Sequence, residues 1–254
     1  MIAPPLRAPG CWLLLLTALV GCGGRPPLAF EPEDPAPAPS GVPGPTPTPG
    51  ASDAAARRVL AVLGERVAAT STWRARVNTE LLGPKGKRET NTLRMCYRRP
   101  GTLASTVLEA SDGKQVGTKL VFGTNDRVKL KTWFFGFIPL KLEVPVADTR
   151  LLDAFGRSMR ENSAEHLCGL LLDPAATVTW IGESSLDGEP LDKLAVRSAK
   201  VWKAFTHEHV GISRRLGLPV VREAFARGGK RVLLHELHGM AVNMVLPASE
   251  FQVQ

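Results

Sequence analysis

The chain has 254 residues and a formal net charge of +8 at pH 7, and 44% of its residues are hydrophobic. The basic excess is spread along the sequence without a basic stripe or a known recognition motif, which argues against a nucleic-acid partner. About 200 residues follow the first 52, and this length is enough for one sizeable domain with its own core.

The sequence begins with a short apolar segment, residues 11–20, which follows Arg7. A helix that crosses a membrane needs about 20 apolar residues, whereas the apolar region of an export signal has about 7–15. The segment closes on Leu-Val-Gly-Cys22, which resembles the bacterial lipobox. We therefore predict that residues 1–21 are a lipoprotein signal peptide and that Cys22 is lipidated. More than one acyl chain, such as palmitate, on this cysteine gives firm membrane anchoring.

A Pro-rich stretch follows the cysteine and is predicted to be a tether. Residues 26–49 contain ten of the 21 prolines of the chain. Proline that alternates with Ala, Thr and Gly favours extended polyproline II conformation, at ~3.1 Å per residue. Residues 22–52 are therefore expected to hold the domain 53–254 off a membrane. Gly23 stands where an Asp would favour inner-membrane retention in Gram-negative sorting, so we predict an outer-membrane anchor with the domain facing the periplasm.

The domain is predicted to begin with one amphipathic helix. Ser52 or Asp53 can cap its N-terminus. The apolar residues of "AAARRVLAVLGERVAA" recur at helical spacing and form one stripe, which consists of Val59, Leu60, Leu63 and Val67. Such a stripe requires a sheet or another helix to pack on.

Short strands follow this helix. The alternation in "TWRARVNTEL" is typical of a strand with one buried face. Five further strands are expected up to residue 144, at 88–99, 102–110, 115–123, 127–135 and 136–144. Strands are expected again at 176–186, 191–199, 202–212, 220–226 and 231–240, with a short end around 245–251. The turn residues between them predict an antiparallel meander.

Residues 148–173 interrupt the strands and are predicted to form one or two helices, because Leu151, Leu152, Phe155 and Met159 recur at helical spacing. A large sheet must bury one face, and few helices are available to cover it. The sequence therefore predicts the α+β class, with a strongly curved antiparallel sheet in the form of an incomplete barrel, an N-terminal helix and a helical insertion that plugs it.

This order of elements resembles the LolA/LolB-like group of periplasmic lipoprotein carriers and related lipoproteins. Two local features carry the resemblance: "GKRETNTLRMCYRRPG", where a strand ends in a basic residue, Pro and Gly, and "ISRRLGLPVVREAF", where Gly-Leu-Pro joins two strands. The resemblance covers roughly residues 53–253. It implies an apolar cavity between sheet and plug that accepts acyl chains. Soluble carriers have no lipid anchor, so the predicted anchor fits better a membrane-bound acceptor or lipid-handling factor.

An aromatic run gives the candidates for this cavity. "TWFFGFIP" contains five large apolar residues that cannot all follow strand alternation: Trp133, Phe134, Phe135, Phe137 and Ile138. One interpretation is that they fill the core and the edge of a hairpin. The other is that some of them line the ligand cavity or form a tip that contacts a membrane.

Two cysteines, Cys96 and Cys168, remain in the domain. In an oxidising compartment they either form a disulfide or stay as two separately buried thiols. His207 and His209 share one face of a strand, whereas His235 and His238 are expected to face opposite ways, and their spacing does not match a helical zinc motif. We predict no metal site and no cofactor.

Signals for catalysis are absent from the sequence. There is no G-x-S-x-G and no phosphate-binding G-x-x-x-x-G-K-[ST]. We therefore predict a membrane-anchored envelope lipoprotein that binds an apolar ligand, a lipid or the acyl chain of a lipoprotein, and is not an enzyme. The alternative is a protein–protein interaction module on the same fold, which would use the basic strand face made of Arg74, Arg76, Arg127, Lys129 and Lys131.

Overall fold

The computed structural model describes residues 49–83, 86–111, 113, 115–134, 138–158, 160–198 and 204–253. The predicted signal peptide, Cys22 and the tether up to residue 48 lie outside these ranges. No helix in the described part of the chain is both long and apolar enough to cross a bilayer.

The first described element is helix α1, Pro49–Ala69. It begins earlier than predicted, so Ser52 and Asp53 lie inside the helix and do not cap it. Proline is accommodated at the start of a helix, because its fixed φ suits that position and its missing N–H has no intrahelical partner there. The predicted apolar stripe is confirmed. Leu63 is fully buried, and Val59, Leu60 and Val67 pack against the same core.

The described strands form one sheet of eleven. Their order is β6-β5-β4-β3-β2-β1-β11-β10-β9-β8-β7, and neighbouring strands for which a register is defined pair antiparallel. All pairs are neighbours along the chain except β1 and β11, which join the two halves. The predicted meander is therefore confirmed. The strands are β1 (Thr72–Leu82), β2 (Arg88–Arg98), β3 (Thr102–Ala110), β4 (Lys119–Phe122), β5 (Arg127–Phe134), β6 (Ile138–Pro145), β7 (Thr177–Leu186), β8 (Glu189–Arg197), β9 (His207–Ser213), β10 (Pro219–Phe225) and β11 (Arg231–Val242).

The sheet is open and curved. Its two ends, β6 and β7, are not paired with each other in the described strands. Val144 of β6 and Trp180 of β7 nevertheless belong to the same core cluster, which also takes residues from the middle strands. We call the face that contributes to this cluster the concave face and the other the convex face. The predicted α+β class with an incomplete barrel is thus confirmed.

The insertion between β6 and β7 is less helical than predicted. Its described residues contain one 3-10 turn, Thr149–Leu151, and a short helix α2, Ala164–Leu171. The residues from Asp153 to Arg157 form a turn instead, because the Asp153 carboxylate accepts hydrogen bonds from the backbone N–H groups of Phe155 and Arg157. An Asp side chain that binds nearby backbone groups competes with helix formation.

Strand β9 and the chain end also differ from prediction. Strand β9 begins at His207, later than the predicted residue 202, and the preceding Thr206 donates hydrogen bonds from its hydroxyl and its N–H to the carbonyl of Phe225. The predicted short end is a 3-10 helix, Ala248–Phe251.

The two features that carry the family resemblance both hold α1 in place. The Arg99 side chain, which follows β2, donates hydrogen bonds to the carbonyls of Val67 and Ala68 at the C-terminus of α1. A cation at this end also interacts favourably with the helix dipole. Gly217, in the turn before β10, lies so close to α1 that a Cβ there would be 2.6 Å from the Arg66 side chain.

We predict that Gly217→Ala destabilises the protein more than Gly228→Ala does. Both glycines have positive φ, so alanine costs about 1–2 kcal/mol of backbone strain at either site. Only Gly217 faces a neighbour, and overpacking against α1 adds about 1–3 kcal/mol. Urea unfolding of both variants measures the difference. Equal losses of unfolding free energy would show that Gly217 does not position α1.

Candidate functional site

A cavity of about 290 Å³ lies on the concave face, between the middle strands and the insertion. Its walls come from β1, β2, β3, β4, β10 and β11, and residues 151–154 and 162–167 contribute the opposite side. Most of the lining is apolar, and its main contributors are Val77, Leu93, Met95, Leu103, Val107 and Leu237. The cavity exists because α2 is only eight residues long and covers a small part of these strands.

A row of polar side chains crosses the floor of this cavity. Arg222 of β10 lies opposite His235 of β11, His235 lies opposite Thr79 of β1, and Thr79 lies opposite Asn91 of β2. Directly opposed residues of antiparallel strands have side chains on the same face. We call these four residues the polar row. All four line the cavity.

Two buried ion pairs lie at the Arg222 end of the polar row. The Arg222 guanidinium donates two hydrogen bonds of 2.8 Å to the Glu208 carboxylate, and both residues are at most 5% exposed. Arg157 of the insertion is 2% exposed and pairs with Asp153, with 2.8 Å between Nε and Oδ2. Its guanidinium also lies over the Phe205 ring, 4.8 Å from the centroid. The two positive charges are thus matched by two negative ones.

His235 is neutral in this setting. Burial lowers the pKa of its imidazole to about 3, and the nearby charges of Arg222 and Arg157 lower it further. The ring is nevertheless accessible from the cavity, whose wall it forms. The prediction that His235 and His238 face opposite ways is confirmed, because His238 bonds Asn78 and Asp187 on the convex face.

The other predicted histidine pair, His207 and His209, packs against an aromatic ring. The rings of His207 and His209 lie 5.0 Å apart on one face, as predicted, and both contact the Phe225 ring. Burial lowers the pKa of His209 to about 4, and Lys193 contributes. In the described part of the chain no three metal-ligating side chains come together.

The aromatic run lies at an edge of the sheet. Trp133 is half-buried on the convex side, with the Lys131 ammonium 5.5 Å from its ring centroid, and Ile138 is exposed. Neither residue belongs to the lining of the cavity described above, because β5 and β6 lie beyond the strands that form its floor. The Phe134 side chain and the whole of Phe135 and Phe137 lie outside the described residues. For these three residues the cavity assignment stays a prediction.

The possible disulfide is not formed in the structure, which holds Cys96 and Cys168 as free, buried thiols. Cys96 packs with Ala104 and Val121 on the convex face, under the C-terminal segment, whereas Cys168 of α2 belongs to the concave core. Successive residues of a strand point to opposite faces, so the position of Tyr97 in the concave core directs Cys96 away from α2. Burial raises the pKa of Cys168 to about 12.

Reasoning from the sequence missed the polar row and the ion pairs. The available signal was a charged residue at an inward-facing position of a strand. In "VVREAF", Arg222 lies two residues from both Val220 and Ala224, which are buried. In "HEHVGIS", Glu208 lies on the same face of the strand as the buried residues Val210 and Ile212. Buried charges of this kind require a partner.

The basic face predicted from strand alternation lies on the convex side. Arg74, Arg76 and Lys129 are exposed there, and they alternate along their strands with buried residues that face the other side. Arg76 is 3.3 Å from Glu109 and Arg127 is 2.7 Å from Glu143, so part of this face is neutralised.

No protein-family model and no curated protein matches the chain. Solved structures are similar to it at low identity. The MucA/MucB complex of Pseudomonas aeruginosa is 14% identical with a TM-score of 0.45, over 79% of this chain and 61% of that chain. Lipoprotein LppX of Mycobacterium tuberculosis is 13% identical with a TM-score of 0.45, over 77% and 99%. A LolA superfamily protein of Nitrosomonas europaea is 9% identical with a TM-score of 0.35, over 78% and 97%.

We predict that Glu208→Gln destabilises the protein by about 3–5 kcal/mol, because it leaves the Arg222 charge buried without a counter-ion. Glu143→Gln is the matched control. It removes the partner of Arg127 in an exposed pair, and exposed pairs contribute about 0–1 kcal/mol. Chemical denaturation measures both. A similar small loss of unfolding free energy in both variants would show that the buried charge of Arg222 does not need Glu208 for stability.

Proposed function

We propose that this chain is a bacterial envelope lipoprotein that binds an apolar chain, from a lipid or an acylated protein, in the concave cavity and does not transform it. The observation that carries the proposal is the cavity itself, with its mostly apolar lining. Ligand sites are typically concave and apolar with a few polar groups. Each Å² of apolar surface that the ligand buries contributes about 25 cal/mol to binding.

The size of the cavity favours a single chain. Its volume of about 290 Å³ exceeds the ~150 Å³ of an engineered cavity that binds benzene. One alkyl chain, or part of one, fits such a space better than a lipid with several chains. Residues 151–154 and 162–167 form one side of the cavity, so a movement of the insertion would widen its entrance. In this proposal the insertion serves as a movable lid.

The setting of the protein belongs to the same proposal. Lipidation of Cys22, removal of residues 1–21 and the tether 22–52 would hold the domain close to a membrane, which supplies the ligand. The outer membrane, with the domain facing the periplasm, is the proposed location.

We predict that Leu93→Trp abolishes chain binding and that Arg94→Trp does not. Leu93 lines the cavity, so a larger side chain fills the space that the ligand needs. Arg94, the next residue of β2, is exposed on the convex face and serves as the control. Displacement of a fluorescent alkyl probe measures affinity, and organic extraction with mass spectrometry detects a co-purified lipid. If the wild-type protein binds no probe and contains no lipid, the proposed function is wrong.

A second candidate function, docking of an acidic envelope protein, is favoured by a line of lysines on the convex face. Lys119 of β4, Lys131 of β5 and Lys141 of β6 lie directly opposite one another. Like charges at such positions are destabilising. Burial lowers the pKa of Lys119, and Arg94 and Lys131 add to this effect, while Glu250 opposes it. An acidic surface would relieve the repulsion.

For this second candidate we predict that Lys131→Glu with Lys141→Glu abolishes binding to immobilised poly-L-glutamate, whereas alkyl-probe binding is retained. The control makes the same charge change at the exposed turn before β11, with Arg227→Glu and Lys230→Glu. Equal effects of both double variants would indicate attraction by net charge alone and contradict a docking surface. Tighter binding to phosphatidylglycerol vesicles than to poly-L-glutamate would favour a membrane surface instead.

A further inference from the structure

We infer that the bound chain carries an uncharged hydrogen-bonding group, such as a hydroxyl, ester or amide, and that this group is seated on the polar row. The inference rests on the proposed function, because it specifies the ligand of the same cavity. It follows from three features of the cavity floor: unpartnered polar atoms, balanced charge, and the arrangement of polar and apolar rows.

The first feature is the presence of polar atoms that no described residue satisfies. His235 lines the cavity, and none of the described residues forms a hydrogen bond with its ring. A neutral imidazole has one donor and one acceptor nitrogen. Asn162, on the opposite side of the cavity, donates from its amide nitrogen to Asp153, but its buried Oδ1 has no partner. Polar groups left without partners in a site of low polarity cost free energy, so a ligand that bonds them is favoured.

The second feature is the balance of charge beside the row. Arg222 already gives two hydrogen bonds to Glu208. Arg157 is paired with Asp153, and the guanidinium nitrogens of Arg157 that lack a hydrogen bond do not line the cavity. A carboxylate or phosphate placed here would add an unmatched negative charge to a buried site, and an ammonium group would add an unmatched positive one. Either charge would lose its hydration without gaining a free counter-ion. The site therefore selects against both.

The third feature is the geometry of the floor. One pleat away from the polar row lies an apolar row, in which Leu237 is opposite Val77 and Val77 is opposite Leu93. Residues two apart on a strand are separated by about 7 Å on the same face. A ligand with one polar group at the end of an alkyl chain matches this step, with the polar group at His235 and the chain over Val77 and Leu93.

A series of ligands with one chain length tests the inference. Dodecanol, methyl laurate, laurate, dodecylammonium and dodecane are compared by displacement of a fluorescent alkyl probe from the full chain at pH 8. We expect dodecanol and methyl laurate to bind about tenfold more tightly than the other three, which corresponds to about one net hydrogen bond. Tightest binding of laurate, or of dodecylammonium, would overturn the inference, as would equal binding of dodecanol and dodecane.

Variants of the two histidines on β11 locate the preference. His235→Leu is expected to remove the advantage of dodecanol over dodecane while dodecane still binds. His235→Gln, which restores a donor and an acceptor, should recover part of it. His238→Leu, on the convex face of the same strand, is the control and should keep the full preference. An unchanged preference in His235→Leu would overturn the inference. If no member of the series binds to the wild-type protein, the proposed function fails first, which is a distinguishable result.

Discussion

The insertion meets the sheet at two buried guanidinium groups, those of Arg157 and Arg222. Arg157 belongs to the insertion, while Glu208 and Arg222 belong to β9 and β10. Arg222 also donates from Nη1 to the backbone carbonyl of Glu161, at 3.4 Å, which links the sheet directly to the insertion. Each ion pair lies within one part, Arg222 with Glu208 in the sheet and Arg157 with Asp153 in the insertion, so a movement of the insertion separates neither pair. The two guanidinium groups link the insertion to the sheet through the hydrogen bond of Arg222 to Glu161 and through the contact of Arg157 with the Phe205 ring.

This attachment explains why the cavity lies where it does. Helix α1 has 21 residues and is about 30 Å long, and its buried side packs toward β7 and the strands beside it. Helix α2 has eight residues and spans only about 12 Å. The concave face of β1, β2 and β3 is wider than α2, so apolar side chains there face an unfilled space. The contacts of Arg222 with Glu161 and of Arg157 with Phe205 place the insertion above this space without filling it.

The elements of the fold could be predicted from the sequence more readily than the site could. Alternation of apolar and polar residues identifies β1, because Trp73, Ala75 and Val77 are all buried. The insertion is less helical than its sequence predicts, because the apolar residues of 151–159 have helical spacing but the Asp153 side chain binds the backbone locally. Periodicity records which residues are apolar and does not record such local hydrogen bonds.

The polar row shows why the site itself was missed. The pairing of Thr79 with Asn91 and that of Arg222 with His235 are each set within a hairpin, and a turn can predict them. The pairing of Thr79 with His235 joins the two halves of the chain, and no local pattern specifies its register. Only the folded sheet brings the four polar residues into one line.

A single bulge decides which residues of β11 reach the cavity. The register between β1 and β11 shifts by one residue between Arg74 and Arg76, near Gly239. Gly239 has a φ of +58°, a conformation that glycine adopts at little cost and that is typical of such bulges. Because of the extra residue, Met240 belongs to the concave core, and Leu237 and His235 still face the same side. Without the bulge, alternation from Met240 would turn Glu236 and His238 toward the cavity and place two more polar groups in its apolar part. The position of one glycine thus gives the cavity its apolar row and sets the single histidine beside it.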